Sequence, residues 1–366
     1  MINHSVKSQP IHRFARLALM AGLVLSVLLL PVQSVWAFDT DLDGSDNFEE
    51  FFAGTSDNDP TQRPYWWKTF VADSAGDSFG WSVSGAGDVN GDGHADLIVG
   101  AYTDDNNGPE SGSARVFSGV DGSILYTFNG DSAGSGFGDY LGGSVSGAGD
   151  VNGDGYADLI AGATGDSNNG IRSGSARVFS GVDGSILHTF HGDNSYDFLG
   201  QSVSGAGDVN GDGYADLIVS APLDDNNGFA SGSVRVFSGV DGSILYTFNG
   251  DGADTAFGSY VSGAGDVNGD GVPDLIVGAP SDDNNGTNSG SARVFSGVDG
   301  SILYTFYGDS AGDGFGLVSG AGDVNGDGHA DLIVGAIQSN TTEAEPGYAR
   351  VFSGVDGSIL YTFNGD

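Results

Sequence analysis

The stretch FLGQSVSGAGDVNGDGYADLIVSAPLDDNNGFASGSVRVFSGVDGSILYTFNG, residues 198–250, holds four short strand-forming runs separated by Gly, Asp and Asn. They fall near Ser202–Ser204, Leu217–Ala221, Ser233–Phe237 and Ile244–Phe248. Leu217-Ile218-Val219 is continuously apolar, as a strand covered on both faces would be, whereas Ser233 to Phe237 alternates and predicts partial exposure. Val240-Asp241-Gly242-Ser243 joins the last two runs with a hairpin turn, in which Gly tolerates positive φ and Asp bonds its own backbone.

The Asp-rich segment D-x-N-x-D-G-x-x-D inside this stretch recurs, starting at Asp88, Asp150, Asp208, Asp266 and Asp323, at intervals of 62, 58, 58 and 57 residues. Such a period suits one supersecondary unit per repeat, none able to bury its apolar face without neighbours. No segment after residue 37 has helical spacing and length. The expected fold is all-β: a β-propeller with four antiparallel strands per blade and five blades visible. A linear β-solenoid is the competitor, but its coils are usually shorter than this four-strand unit.

The loops carry the chemistry. In the first, Asp88, Asn90, Asp92 and Asp96 occupy positions 1, 3, 5 and 9, and His94 at position 7 offers its carbonyl. Hard oxygen donors in this number match calcium, and Gly93 at position 6 permits the sharp turn that gathers them. The same positions hold Asp150, Asn152, Asp154, Tyr156 and Asp158; Asp208, Asn210, Asp212, Tyr214 and Asp216; Asp266, Asn268, Asp270, Val272 and Asp274; and Asp323, Asn325, Asp327, His329 and Asp331. Variation at position 7 suits a backbone ligand. A solubility-driven series of Asp-Gly turns would explain the residue types but not their fixed spacing.

Phe79-Gly80, the loop Asp88–Asp96 and the strand Leu97-Ile98-Val99-Gly100-Ala101 resemble the FG-GAP repeat of the integrin α-subunit β-propeller and its bacterial relatives. The resemblance continues at Phe137-Gly138 with Gly162-Ala163, Phe257-Gly258 with Gly278-Ala279-Pro280, and Phe315-Gly316 with Gly335-Ala336. It covers about residues 65–366. The third unit departs with Phe198-Leu199-Gly200 and Ser220-Ala221-Pro222. The second unit inserts residues around Asp139 to Gly143; the fifth loses one between Gly316 and Val318, which could turn its first strand's side chains to the other face. The family commonly closes with seven blades. Five blades here imply direct closure, part of a larger ring, or an open propeller, and the expectation is a five-bladed domain in which Trp66 to Asp77 supplies an overlapping closure strand.

Ahead of the propeller, residues 38–64 form an acidic leader. Asp39, Asp41, Asp43, the Ser45 carbonyl, Asn47 and Glu50 fall on an EF-hand loop grid with Gly44 at the turn. The segment resembles EF-hand-like or thrombospondin type 3-like calcium loops. Residues 1–37 read as an export signal: Lys7, Arg13 and Arg16, an apolar run from Leu17 to Leu30, and Val35-Trp36-Ala37 for cleavage. That run is short for a stable bilayer span.

Forty-nine acids against eleven Lys and Arg give a formal charge of −38, which makes nucleic acid an unsuitable partner. There is no cysteine, so disulfides and thiolate metal sites are excluded. No H-E-x-x-H, G-x-S-x-G or P-loop spacing occurs. The expected role is a secreted or cell-surface, calcium-binding, non-enzymatic adhesion module with an extracellular protein or glycan partner. The alternatives are a secreted carbohydrate-active enzyme or its accessory propeller, or a purely structural repeat. Phe117, Phe179, Phe237, Phe295 and Phe352, with Tyr126, Tyr246, Tyr304 and Tyr361, are expected to pack between blades. Arg115, Arg177, Arg235, Arg293 and Arg350, one per repeat, are expected to clamp local carboxylates.

Overall fold

A computed structural model describes residues 69–131, 138–337 and 347–365. The export signal, the acidic leader with its candidate ligands Asp39 to Glu50, Trp66, Trp67 and Phe137 lie outside the described residues. The chain divides into two compact units between Gly200 and Gln201.

The unit ending at Gly200 holds two four-stranded antiparallel sheets, in the orders β1-β2-β3-β4 and β5-β6-β7-β8. The first comprises β1 (Phe79–Gly87), β2 (Asp96–Ala101), β3 (Ser113–Phe117) and β4 (Ile124–Asn129); the second β5 (Leu141–Gly149), β6 (Asp158–Ala163), β7 (Ser175–Phe179) and β8 (Ile186–His191). The unit from Gln201 holds three more: β9 (Val203–Gly207) to β12 (Ile244–Asn249) through β10 (Asp216–Ala221) and β11 (Ser233–Phe237); β13 (Tyr260–Gly265) to β16 (Ile302–Tyr307) through β14 (Asp274–Ala279) and β15 (Ser291–Phe295); and β17 (Phe315–Gly322) to β20 (Ile359–Asn364) through β18 (Asp331–Ala336) and β19 (Tyr348–Phe352). These are the five blades that the repeat implies. The Asp-Gly hairpins form as read: Gly242 has φ 69°, and Asp241 accepts the Ser243 amide at 2.9 Å.

The apolar second strands are buried throughout in β6, β10 and β14. The third strands correct the expectation of partial exposure, because β3, β7, β11 and β15 are buried at every residue. Three of their serines find partners instead of water. Ser113, Ser233 and Ser291 donate to Asp104, Asp224 and Asp282 at 2.6–2.7 Å.

Neighbouring blades within each unit join through a repeated set of contacts. Phe128 stacks on Phe179 at 4.0 Å, Phe248 on Phe295 at 4.1 Å and Phe306 on Phe352 at 4.0 Å. Tyr126, Tyr246 and Tyr304 donate their hydroxyls to the carbonyls of Gly181, Gly297 and Gly354 at 2.8–2.9 Å. The glycines of the repeat motif also belong to the junction. A Cβ added at Gly100 would stand 2.0 Å from the Gly142 carbonyl oxygen of the next blade, and one at Gly278 would stand 1.8 Å from that of Gly316, so only Gly lets these backbones meet.

Two register expectations are corrected. In the second blade Leu141-Gly142, not Phe137-Gly138, occupies the place of Phe79-Gly80. Leu141 pairs with Ala163 as Phe79 pairs with Ala101, and Gly142 shares the positive φ of Gly80, 89° against 87°. The insertion therefore precedes Asp139 rather than following it. In the fifth blade the missing residue does not invert β17. Its bulge spans Phe315 to Leu317 where β1 spans Phe79 to Ser82, and Val318 still faces Val334 as Val83 faces Val99.

Thr69 to Asp73 form no strand, yet they repeat the Thr127–Asp131 phrase in space. Phe70 packs on Phe117 at 4.3 Å, as Phe128 does on Phe179.

Candidate metal centres

The Asp-rich loops join the first and second strands of every blade and share one wiring. In the third, Asp208 Oδ1 accepts the amides of Gly211 and Asp212 at 2.7 and 3.0 Å, and its Oδ2 accepts that of Gly213 at 2.9 Å. Asn210 Oδ1 accepts the Asp212 amide at 2.9 Å, and Asp212 Oδ1 accepts that of Tyr214 at 3.0 Å. The equivalents of the Asp212, Gly213 and Tyr214 amide bonds recur at Asp88–His94, Asp150–Tyr156, Asp266–Val272 and Asp323–His329, and that of the Gly211 amide recurs at Gly153, Gly269 and Gly326. Short Asx side chains curl onto their own backbone, so each loop presents oxygens while Gly213 and its equivalents take the left-handed turn. The donor set is wholly hard oxygen, and it fits calcium.

Position 9 has a second task. Asp96, Asp158, Asp216, Asp274 and Asp331 are wholly buried. Asp216 Oδ2 accepts the Val209 amide at 2.9 Å and its Oδ1 accepts that of Gly239 at 3.1 Å, bracing the loop against the turn before the fourth strand. Its four counterparts do the same. Each Oδ1 accepts a single amide and keeps a lone pair for an ion, whereas the Oδ2 of Asp274 and of Asp331 also accepts the Asn268 or Asn325 amide at 3.3 Å. Burial, opposed by the two amides, pushes Asp158 and Asp216 up to about 6, with the neighbouring loop carboxylates adding to the rise.

Position 7 also uses its side chain. The Tyr156 ring lies where a Cβ on Gly91 of the preceding loop would be, 2.4 Å from it, and His329 Nδ1 stands 3.0 Å from the Val267 carbonyl oxygen.

At the opposite end of the first blade, Asp73, Asp77 and Asp104 bring carboxylate oxygens within 4.8 Å of one another. Arg115 already supplies a cation there, 2.5 Å from Asp73 and 3.0 Å from Asp104. Its hydrogen bond is the main cause holding Asp73 down at about 2, while burial is the main cause raising Asp77. Sequence reasoning missed this trio because its members lie up to 31 residues apart; the signal was the match of Thr69-Phe70-Val71-Ala72-Asp73 to T-F-N-G-D. The other clamps follow the pattern. Arg177 reaches Asp131 and Asp139 at 2.8 and 2.7 Å, Arg293 pairs with Asp251, Arg350 with Asp309, and Arg235 stands 3.8 Å from Asp224. At Arg177, Arg293 and Arg350 the acid at the exit of one blade thus meets the arginine of the next, whereas Asp224 belongs to the same blade as Arg235.

The FG-GAP repeat description matches residues 79–117, 141–176, 199–237, 257–295 and 315–352. Curated relatives include integrin alpha-PS5 of Drosophila melanogaster, 41% identical over 100 residues, covering 26% of this chain and 10% of that one. Integrin alpha-6 of Gallus gallus is 30% identical over 174 residues, covering 43% and 15%. Integrin alpha-IIb of Mus musculus is 34% identical over 169 residues, covering 41% and 16%. The matched regions therefore span 10–16% of these relatives' length. Among solved structures, rhamnogalacturonan lyase YesW aligns with 77% of this chain and 51% of its own at a TM-score of 0.42 and 18% identity, too distant to inform function.

Proposed function

Since the chain belongs to the FG-GAP repeat family, we propose that it is a calcium-stabilised, non-enzymatic binding module that works outside the cytoplasm. One observation carries the reading: five loops hold the same hard-oxygen donors on the same backbone hydrogen bonds. In each, the side chains at positions 1, 3, 5 and 9 and the carbonyl at position 7 would hold the ion. Bound calcium would neutralise the clustered carboxylates and fix the loop on which the second strand begins.

An adhesive role rests on the likeness to integrin alpha chains, so partner and surface are part of the proposal. The same loop carboxylate environments recur from repeat to repeat, which favours a shared structural role over a single catalytic pair. Among the described residues no helix is long and apolar enough to cross a membrane. The acidic leader is proposed as a sixth calcium loop on its spacing alone.

Calorimetric titration of the metal-free protein should reveal about five calcium sites, or six if the leader also binds. A parallel screen against cells and matrix proteins, in calcium and in EDTA, tests adhesion. Calcium uptake without any such binding would leave a purely structural repeat; no calcium uptake would remove the basis of the reading.

A further inference from the structure

Aromatic side chains that depart from the repeat converge on one surface of the unit ending at Gly200. Trp81 stands where the other blades have Gly143, Gln201 and Ser259, and Tyr102 stands where they have Thr164, Pro222, Pro280 and Ile337. Their rings meet at 4.8 Å, and Tyr102 continues to Tyr140 at 6.2 Å. The Arg172 guanidinium lies 5.7 Å from the Tyr140 ring and 5.9 Å from that of Phe198, which neighbours Tyr196 at 6.4 Å. Trp81 is 58% exposed and Tyr196 53%.

The backbone beneath them is unfavourable for large side chains. Ser78, Tyr140, Phe198, Ala256 and Gly314 occupy one repeated position, all with φ between 48 and 57°. Tyr196, at 71°, shares its position with Gly76 and Gly312, and Arg172 is left-handed too, at 51°. Small residues serve this conformation in three blades. The remaining two positions carry aromatics instead, linked through ring and guanidinium contacts to Tyr102 and Trp81, and such strain is kept where a surface has a use.

We propose that this aromatic strip is a binding site for a neutral glycan. The inference deepens the binding-module reading and rests on it. Exposed ring faces suit the C–H faces of pyranose units, and the polar fringe offers both kinds of hydrogen-bonding partner: the Arg172 guanidinium donates, while Glu110, which accepts the Tyr140 hydroxyl at 2.5 Å, offers carboxylate oxygens. Charge selects among ligands. The chain's −38 opposes anionic polysaccharides. A cationic ligand finds the faces of Tyr140 and Phe198 already engaged by Arg172.

The test is affinity gel electrophoresis of the full chain in calcium through soluble cellulose derivatives without charge, mannan, starch and β-1,3-glucan. At least one should retard the protein saturably, and Trp81→Ala and Tyr102→Ala should each weaken that retardation about tenfold or more. Tyr140→Gly should weaken it as well while leaving the thermal midpoint equal or higher, since glycine relieves the left-handed strain. Retardation by none of these glycans, or retardation indifferent to Trp81 and Tyr102, overturns the proposal; so does Trp81-dependent capture by collagen, laminin or fibronectin in place of glycan. Calcium titration of the same samples separates the two readings. Loaded loops without glycan binding overturn this inference alone, whereas glycan binding without calcium loading overturns the calcium reading alone.

Discussion

Asp212 and Asp216 lie in one loop and answer to different requirements. Asp212 is exposed and holds the Tyr214 amide and the exposed Asn210 side-chain amide, so Asp212→Ala should lower calcium stoichiometry by one and loosen Leu217–Val219 in hydrogen exchange, with little effect on stability in EDTA. Asp216→Ala should cost about 2–5 kcal/mol even in EDTA, because it strands two buried amides. Urea unfolding with and without calcium checks both, and equal losses in EDTA would contradict the division. Arg177 supports a pH prediction. Burial is the main cause raising the Asp139 carboxyl, and Arg177 opposes it. A raised carboxyl favours the fold fully below its unfolded value and loses that contribution as pH rises through its folded value. Arg177→Met should therefore cost roughly 3–5 kcal/mol at pH 7, and the deficit should narrow over the acidic range as Asp139 takes up a proton. A deficit constant across that range would exclude Asp139 as the residue left uncompensated. The loop donors were legible because Asx side chains act within a few residues of themselves. The brace at position 9 was not, since the turn amide it accepts, such as Gly239 for Asp216, lies 23 residues away.

At the scale of strands, the apolar second strands announced themselves by being continuously apolar, but the third strands were misread because Ser and Arg interrupt them. The partner that buries Arg177 comes from Asp131, 46 residues earlier and in the preceding blade, and local alternation cannot show it. Leu141 was overlooked for the same local reason: Phe137 resembles the motif more closely, although Leu141-Gly142 keeps the eight-residue spacing from Gly to the loop Asp that Gly80 and Asp88 have. The bulge opening the first strand is where the repeat tolerates changes in length. Inserting Gly after Gly316 should restore the longer bulge of β1 and shift stability by no more than about 0.5 kcal/mol. Inserting Gly between Val334 and Gly335 would invert part of a buried strand and should prevent cooperative unfolding. Thermal unfolding of the two variants compares them directly, and similar losses would show that the bulge is not where register is absorbed.

Across the whole molecule, the excess of acids opposes compaction wherever cations are missing. Five divalent ions would cancel ten of the thirty-eight formal negative charges. In EDTA the thermal midpoint should climb as NaCl shortens the screening length from about 10 Å at 0.1 M to about 3 Å at 1 M, and it should climb less in saturating calcium. Equal salt slopes in the two conditions would argue against metal as the main counter-charge. The junctions carry a further consequence, for heredity. In both units the matched partners, Phe128 with Phe179 or Asp309 with Arg350, belong to successive repeats, while S-G-V-D-G-S-I-L stands unchanged in all five, from Ser118 to Leu125 through Ser353 to Leu360. Unequal crossing-over within that shared octet would add or delete one whole period and leave these repeated partners opposite equivalent mates. A gene for this chain can therefore gain or lose a blade in a single recombination, with no compensating substitution needed at the seam.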